Sequence, residues 1–365
     1  MRPGRGSSAR ASATERRISA RAGRRIAPLD AKPRLDKAPP PLRRVAGRMT
    51  VPPDLAALPK AEVHVHLEGT VRPATLEELC ARTGLSVPRV FTDLPSFVEV
   101  YSCAWATMTT PGDYARLVRE YCEDAARAGV RYAELELATA GRPYDCLAEA
   151  VEAASRQRDV VVRFVAGNAR DLPVDIAWMM LEAARGVPEV VAIGLGGPEE
   201  GFPPGPFAAL FAEARRSGLH AAPHAGEAAG PASIRSALDA LGAERIQHGV
   251  RAVEDLALLA ELVERQIPLA VCPTSNLRLG VVPSLDAHPL RRLWDAGAIV
   301  SVNTDDPGFF ASDLVSEYAI AGRLLGLDRR GYARLAANSV DGSFAPAALK
   351  AELHDAIHDW ARRGD

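Results

Sequence analysis

The chain has 365 residues, of which 47% are hydrophobic and 25% charged, an ordinary globular composition long enough to bury a large core. No stretch approaches the roughly 18 uninterrupted apolar residues of a membrane span. Five cysteines, odd in number and without Cys-x-x-Cys spacing, argue against a disulfide scaffold and thiolate zinc sites and for a reducing, cytoplasmic setting.

The net charge of −2 hides an asymmetry. Residues 1–48 hold 12 Arg and 2 Lys against 3 acidic residues, about +11, whereas the remainder carries 30 basic and 43 acidic residues, about −13. The basic arm lacks the apolar core of a secretory signal, and Lys37-Ala-Pro-Pro-Pro-Pro-Leu42 would break a transit-peptide helix. The use of 40 Arg and only 4 Lys reads as a codon bias. Met49, just before an orderly domain, is the expected translation start, and residues 1–48 are expected to be disordered, leaving 49–365 as one domain. With an acidic body and no recognised nucleic-acid motif, neither nucleic acid nor membrane is an expected partner.

From Ala61 onward, short β-branched runs alternate with helical patterns. Eight strands are expected, at 61–67, 130–137, 160–167, 190–197, 220–226, 245–250, 267–272 and 299–305. The segments between them, such as Ala208–Ser217, Ala232–Leu241, Glu254–Arg265 and Pro289–Ala296, have apolar spacings of three and four, and several stop at a glycine (Gly218, Gly242, Gly297). This is the recipe for an α/β fold, a parallel (β/α)8 barrel. The stretch Thr70–Gly129 is longer than one helix needs. Helical segments around Ala74–Arg82 and Tyr114–Ala128 flank Phe91–Thr110, whose Phe97, Tyr101, Trp105 and Met108 either lid a flat ligand or pack helices together. Three further helical segments follow Pro307.

Chemically capable residues close four of the eight expected strands, at the ends where barrel active sites lie. In the first run His64 and His66 alternate, so they share a face and can grip one ion. His224 and Glu227 end the fifth, His248 the sixth, and Asp305-Asp306 the eighth. Singly, each has a dull reading: a His-x-His pair is more often structural, His248 a core histidine, and Asp305-Asp306-Pro307 a turn. Jointly, four of the eight histidines and the only Asp-Asp pair fall at or near separate strand ends, which structural needs alone would not arrange. His64, His66, His224 and Asp305 form a zinc-type ligand set, and Glu227 and His248 remain for proton work.

Six segments in order carry a family resemblance: Leu58-Pro-Lys-Ala-Glu-Val-His-Val-His-Leu-Glu-Gly69, Gly194-Leu-Gly-Gly-Pro-Glu199, His224-Ala-Gly-Glu227, Arg245-Ile-Gln-His-Gly249, Cys272-Pro-Thr-Ser-Asn276 and Ser301-Val-Asn-Thr-Asp-Asp-Pro307. Across roughly residues 55–345 the chain resembles the adenosine deaminases, a branch of the metal-dependent amidohydrolase barrels. The resemblance implies one Zn2+ held by His64, His66, His224 and Asp305, proton delivery from Glu227 to N1 of a purine, and a water oriented and helped to lose its proton by His248. It further implies that Asp306 meets N7 and that the Gly197 N–H meets N3. Glu227 would have to stay protonated, as burial beside Asp305 and Asp306 would favour. Between Lys60 and Lys350 there is no lysine, so a carboxylated-lysine metal pair and a Schiff-base barrel are both excluded.

The substrate expected from this resemblance is an adenosine-type nucleoside. Glu68 stands where typical adenosine deaminases have an aspartate that meets the ribose 5′-hydroxyl, and a glutamate there is common in adenine deaminases. Ser284-Leu-Asp-Ala-His-Pro289 and Glu317-Tyr-Ala-Ile-Ala321 also resemble aminodeoxyfutalosine deaminases. Adenine and aminodeoxyfutalosine are therefore the alternative substrates. A catalytically silent nucleoside-binding relative would have lost a ligand or the proton donor, and none is lost here.

Overall fold

In the computed structural model, which describes residues 51–138 and 143–363, the apolar runs lie side by side in chain order as parallel strands. They are β1 (Lys60–His66), β2 (Val130–Leu137), β3 (Val161–Ala166), β4 (Val190–Ile193), β5 (His220–Ala221), β6 (His224–Ala225), β7 (Ile246–His248), β8 (Leu269–Val271) and β9 (Val300–Val302). The basic N-terminal segment and Met49 lie outside the described residues.

Among the described residues there are nine strands rather than eight because the expected run 220–226 is split at Pro223, which has no N–H to give to a ladder. The chain nevertheless keeps its course. Ala222 N donates to Ile193 O and His224 N to Leu195 O, both at 3.0 Å, so β5 and β6 act as one stave. Between β9 and β1 the ring closes through a parallel bridge of Val65 with Asp305, His66 N donating to Asp305 O at 2.9 Å and Asp305 N to His64 O at 3.1 Å. This closure brings the ends of the first and last strands together.

Helices fill the connections as the spacing predicts. The long excursion after β1 holds three, Pro73–Thr83, Leu94–Thr107 and Pro111–Arg127, the latter two opened by capping boxes at Asp93/Ser96 and Thr110/Asp113. The helix Pro231–Ser236 widens into a π turn, Ala237–Leu241, and stops at Gly242, whose φ of 63° a side chain would resist. After β9 a single turn, Pro307–Phe310, precedes three long helices, Leu314–Leu325, Arg329–Asp341 and Ala347–Arg362. Among the described residues no helix is long and apolar enough to cross a membrane.

Two buried cations organise the opposite end of the barrel. Arg245 pairs with Glu134 at 2.6 Å under the Phe344 ring. The Lys60 Nζ donates to the carbonyls of Leu55, Leu58 and Ala128 at 2.7, 2.8 and 2.8 Å, one acceptor for each ammonium proton. Lys60→Met should strand three buried carbonyls and cost about 3 kcal/mol of stability. Urea denaturation would measure it, and a midpoint unchanged from wild type would refute this role.

Candidate active site

The alternation of β1 turns His64 and His66 to one side, and backbone geometry supplies the rest. His248, at the end of β7, and Asp305, three residues past β9, both adopt left-handed backbone conformations, with φ of 65° and 64°. Such angles are costly for residues other than glycine and concentrate where a side chain must be aimed. The four expected ligand residues meet. His224 Nε2 lies 3.1 Å from His64 Nε2 and 3.2 Å from His66 Nε2, and Asp305 Oδ1 lies 3.5 and 3.2 Å from the same two nitrogens.

These spacings fit a cation. A tetrahedral Zn2+ with ligand bonds of about 2.0–2.1 Å separates its donors by about 3.3 Å. Burial and the neighbouring imidazoles of His64, His66 and His248 hold the His224 pKa well below its ordinary value, leaving a neutral ring with a lone pair to give. Burial opposes ionisation of Asp305, yet His64 and His66 outweigh it and hold its carboxyl well below the usual range. His64 directs Nδ1 to Ala270 O at 2.9 Å, which turns Nε2 inward as an acceptor. Two other groupings are possible, His64/His248/Cys272 and Glu227/His248/Asp305. The first competes poorly, because burial and then Asp305 push the Cys272 thiol far up and the His64 nitrogen nearest to it, 3.3 Å away, faces Ala270 O.

The residues expected to handle protons stand against this cluster. Glu227 Oε1 lies 3.5 Å from His248 Nε2 and has no hydrogen-bond partner among the described residues. Burial, then the charges of Asp305 and Glu199, push its pKa well above the usual carboxylate range. Asp306 is likewise raised, by burial and then by Asp305, and its Oδ1 also has no hydrogen-bond partner among the described residues. A Cβ on Gly69 would fall 1.9 Å from that oxygen, so a glycine is needed beneath Asp306. His248 Nε2 is 3.8 Å from Asp305 Oδ2.

The residues expected at the substrate are spread more widely. Glu68 is buried and already engaged, its Oε1 accepting from Ala138 N at 2.9 Å and its Oε2 from the Tyr101 hydroxyl at 3.0 Å, and burial raises its pKa to about 7. Tyr101 also borders His66, with ring centroids 6.2 Å apart. Phe97 sits one ring further out, packed on Phe91 and Phe310 at 5.0 and 4.9 Å, while Trp105 and Met108 join the main core. The lid and helix-packing readings of this stretch therefore divide along the helix. Gly197, with φ of 86°, follows the bridge between Ala169 and Gly196.

Several residues escaped the sequence reading. Arg170 is buried and donates to the carbonyls of His224 (2.6 Å), Leu195 (3.2 Å) and Gly196 (3.2 Å), tying the β4 and β6 ends together. Glu199 accepts from Ala229 N at 2.6 Å and Glu227 N at 3.4 Å, fixing the turn that carries Glu227. Glu136 pairs in register with His66 and lies over Gly194, with one oxygen that has no hydrogen-bond partner among the described residues. The available signal was its place in Glu134-Leu135-Glu136, two acidic side chains on one face of a strand that is buried from Tyr132 to Leu137.

A family model described as adenosine deaminase matches residues 59–360. The chain is 40% identical to the aminodeoxyfutalosine deaminase of Streptomyces coelicolor, over 89% of this chain and 95% of that protein. It is 37% identical to the adenine deaminase of Cupriavidus necator, over 83% and 92%. Among solved structures, the adenine deaminase from Arthrobacter aurescens superposes with a TM-score of 0.78 at 35% identity, covering 84% of this chain and 100% of that one. An amidohydrolase from Burkholderia ambifaria with bound Zn gives a TM-score of 0.76 at 27% identity, over 85% and 92%.

Proposed function

The chain belongs to the adenosine deaminase family of metal-dependent hydrolases that act on the C–N bond of a purine-type amidine, and from that premise we propose that it removes the 6-amino group of a 6-aminopurine nucleoside as ammonia. The observation that carries this reading is the convergence of three imidazoles and one carboxylate at metal-ligand spacing, with the carboxyl of Glu227, held in its acid form, beside them. His64, His66, His224 and Asp305 would hold a single Zn2+, which when bound supplies the Lewis acid that makes a water nucleophilic at neutral pH. Glu227 gives its proton to N1, which breaks the aromaticity across N1–C6 and opens C6 to attack. Asp306, also in its acid form, donates to N7, and the Gly197 N–H faces N3. His248 contacts the attacking oxygen.

For the substrate, aminodeoxyfutalosine replaces adenosine as the primary reading. The relatives above act, by name, on aminodeoxyfutalosine and adenine rather than on adenosine. Glu68 supports the change. A carboxylate already satisfied by Ala138 N and Tyr101 has no need of a 5′-hydroxyl donor, which suits a nucleoside whose 5′ position carries a larger substituent. The same closed Glu68–Tyr101 pair also favours a second reading, free adenine, whose missing sugar leaves that space to the protein.

A panel assay of ammonia release separates these readings: kcat/KM should be highest on aminodeoxyfutalosine, with adenine, adenosine and deoxyadenosine behind it. A highest value on adenine would establish the second reading, and one on adenosine would restore the first expectation. Glu68→Asp, which draws the carboxylate back from Tyr101, should raise the ratio of adenosine to adenine efficiency about tenfold. An unchanged ratio would show that Glu68 does not gate the sugar space.

A further inference from the structure

Behind His248, away from the reacting centre, two buried side chains from separate elements, Asn276 and His288, continue a hydrogen-bonded chain. The backbone N–H of Leu290 donates to His288 Nδ1 at 3.0 Å. His288 Nε2 lies 3.1 Å from Asn276 Oδ1, and Asn276 Nδ2 lies 3.3 Å from His248 Nδ1. Asn276 is wholly buried, His248 is 1% exposed and His288 5%, so the three side chains are shielded from bulk solvent.

A backbone N–H can only donate, and this fixes every proton in the series. Since Leu290 gives its proton to His288 Nδ1, that nitrogen must carry a lone pair, and the neutral ring must bear its hydrogen on Nε2. Burial draws the His288 pKa down to about 4, so the ring is neutral in ordinary buffers. The Nε2–H needs an acceptor, which selects the carbonyl oxygen of Asn276 and turns the amide NH2 toward His248. That NH2 donates to His248 Nδ1, and a neutral His248 is left with its hydrogen on Nε2, the nitrogen that faces Glu227 and Asp305.

We propose that Asn276 and His288 are positioning residues that set the tautomer of His248, so that the neutral ring presents an N–H rather than a lone pair to the reacting oxygen. The role expected from the sequence resemblance, in which His248 helps to deprotonate the water, is thereby changed. In this tautomer the ring donates a hydrogen bond to the oxygen, and the proton leaving the water passes to Glu227, which is a carboxylate once it has given its own proton to N1 and which lies 3.5 Å from His248 Nε2. The inference rests on the deaminase reading for its functional consequence, but not for the tautomer itself.

Long-range 1H–15N correlation spectra of the zinc-loaded and metal-free proteins, with His248 signals assigned through His248→Ala, read the tautomer directly. His248 should show a protonated Nε2 and a pyridine-like Nδ1. Asn276→Asp replaces the donor facing Nδ1 with an acceptor, so Nδ1 should become protonated. His288→Leu, which frees the amide to turn over, should give mixed tautomers, whereas His288→Gln, with its own acceptor and donor, should restore the wild-type pattern. Both disruptive variants should lower kcat roughly ten- to a hundredfold with KM moved by less than about threefold, and His288→Gln should recover most of that loss. A wild-type Nδ1–H, or a tautomer indifferent to Asn276→Asp, would overturn the proposal. Full turnover in His248→Ala would instead defeat the deaminase role given to His248, while leaving the tautomer result standing.

Discussion

Glu227→Gln is expected to lower kcat by about 10²–10⁴-fold, the usual worth of a general acid, while metal content and purine binding are retained. The substitution keeps the volume of the side chain and its place beside His248, but an amide has no proton to deliver to N1. On the proposed mechanism the acid form of Glu227 is the working one. Burial, Asp305 and Glu199 all favour it, so it is present below the raised pKa and lost as pH rises through that value. The wild-type kcat should therefore decline on the alkaline side, and the residual activity of Glu227→Gln should lack that limb. Steady-state kinetics across pH, with zinc measured on the same preparations, would test both statements. More than about a tenth of wild-type turnover in the variant would move the donor role elsewhere, with Asp306, the other carboxyl raised by burial and Asp305, as the next candidate.

Much of this arrangement was legible in the sequence because a parallel barrel sorts its residues by position. Strand ends collect at one face, so a histidine at the end of one run and an aspartate at the end of another meet without any local signal linking them. His64, His66, His224 and Asp305 converge for that reason, and the ring closure between Val65 and Asp305 completes it. What the sequence hid depends on the backbone path or on contacts between distant elements. The left-handed turns at His248 and Asp305 leave no trace in residue type, since neither residue is a glycine. Pro223 does mark the break in the fifth stave, yet only the bonds to Ile193 and Leu195 show that the stave continues. The state of Glu68 is set by Tyr101, 33 positions away on a helix whose docking angle no periodicity encodes. Asn276 and His288 lay inside recognisable motifs, and their relation to His248 appears only when the ends of three connections are packed together.

His64→Ala is expected to abolish both metal binding and turnover, for reasons that distinguish it from the loss of a proton donor. His64 is fully buried, its Nδ1 anchored on Ala270 O and its Nε2 within 3.5 Å of both His224 Nε2 and Asp305 Oδ1. Removing it deletes one of the four donors, and the remaining three no longer define the tetrahedral arrangement. Elemental analysis should give about one zinc per wild-type chain and far less than one for the variant, since three donors without a fixed orientation no longer close a tetrahedral site. Thermal denaturation supplies a second, activity-independent readout. A metal that binds only the folded chain raises Tm by mass action, so a chelator should lower the wild-type Tm and leave His64→Ala unmoved. Stoichiometric zinc in His64→Ala would mean that the ion sits on another grouping, of which Glu227, His248 and Asp305 are the nearest set. Two zinc ions per wild-type chain at full activity would contradict the single-metal reading. The absence of any lysine between Lys60 and Lys350 makes that result hard to build, because no side chain is present to bridge a second ion by carboxylation.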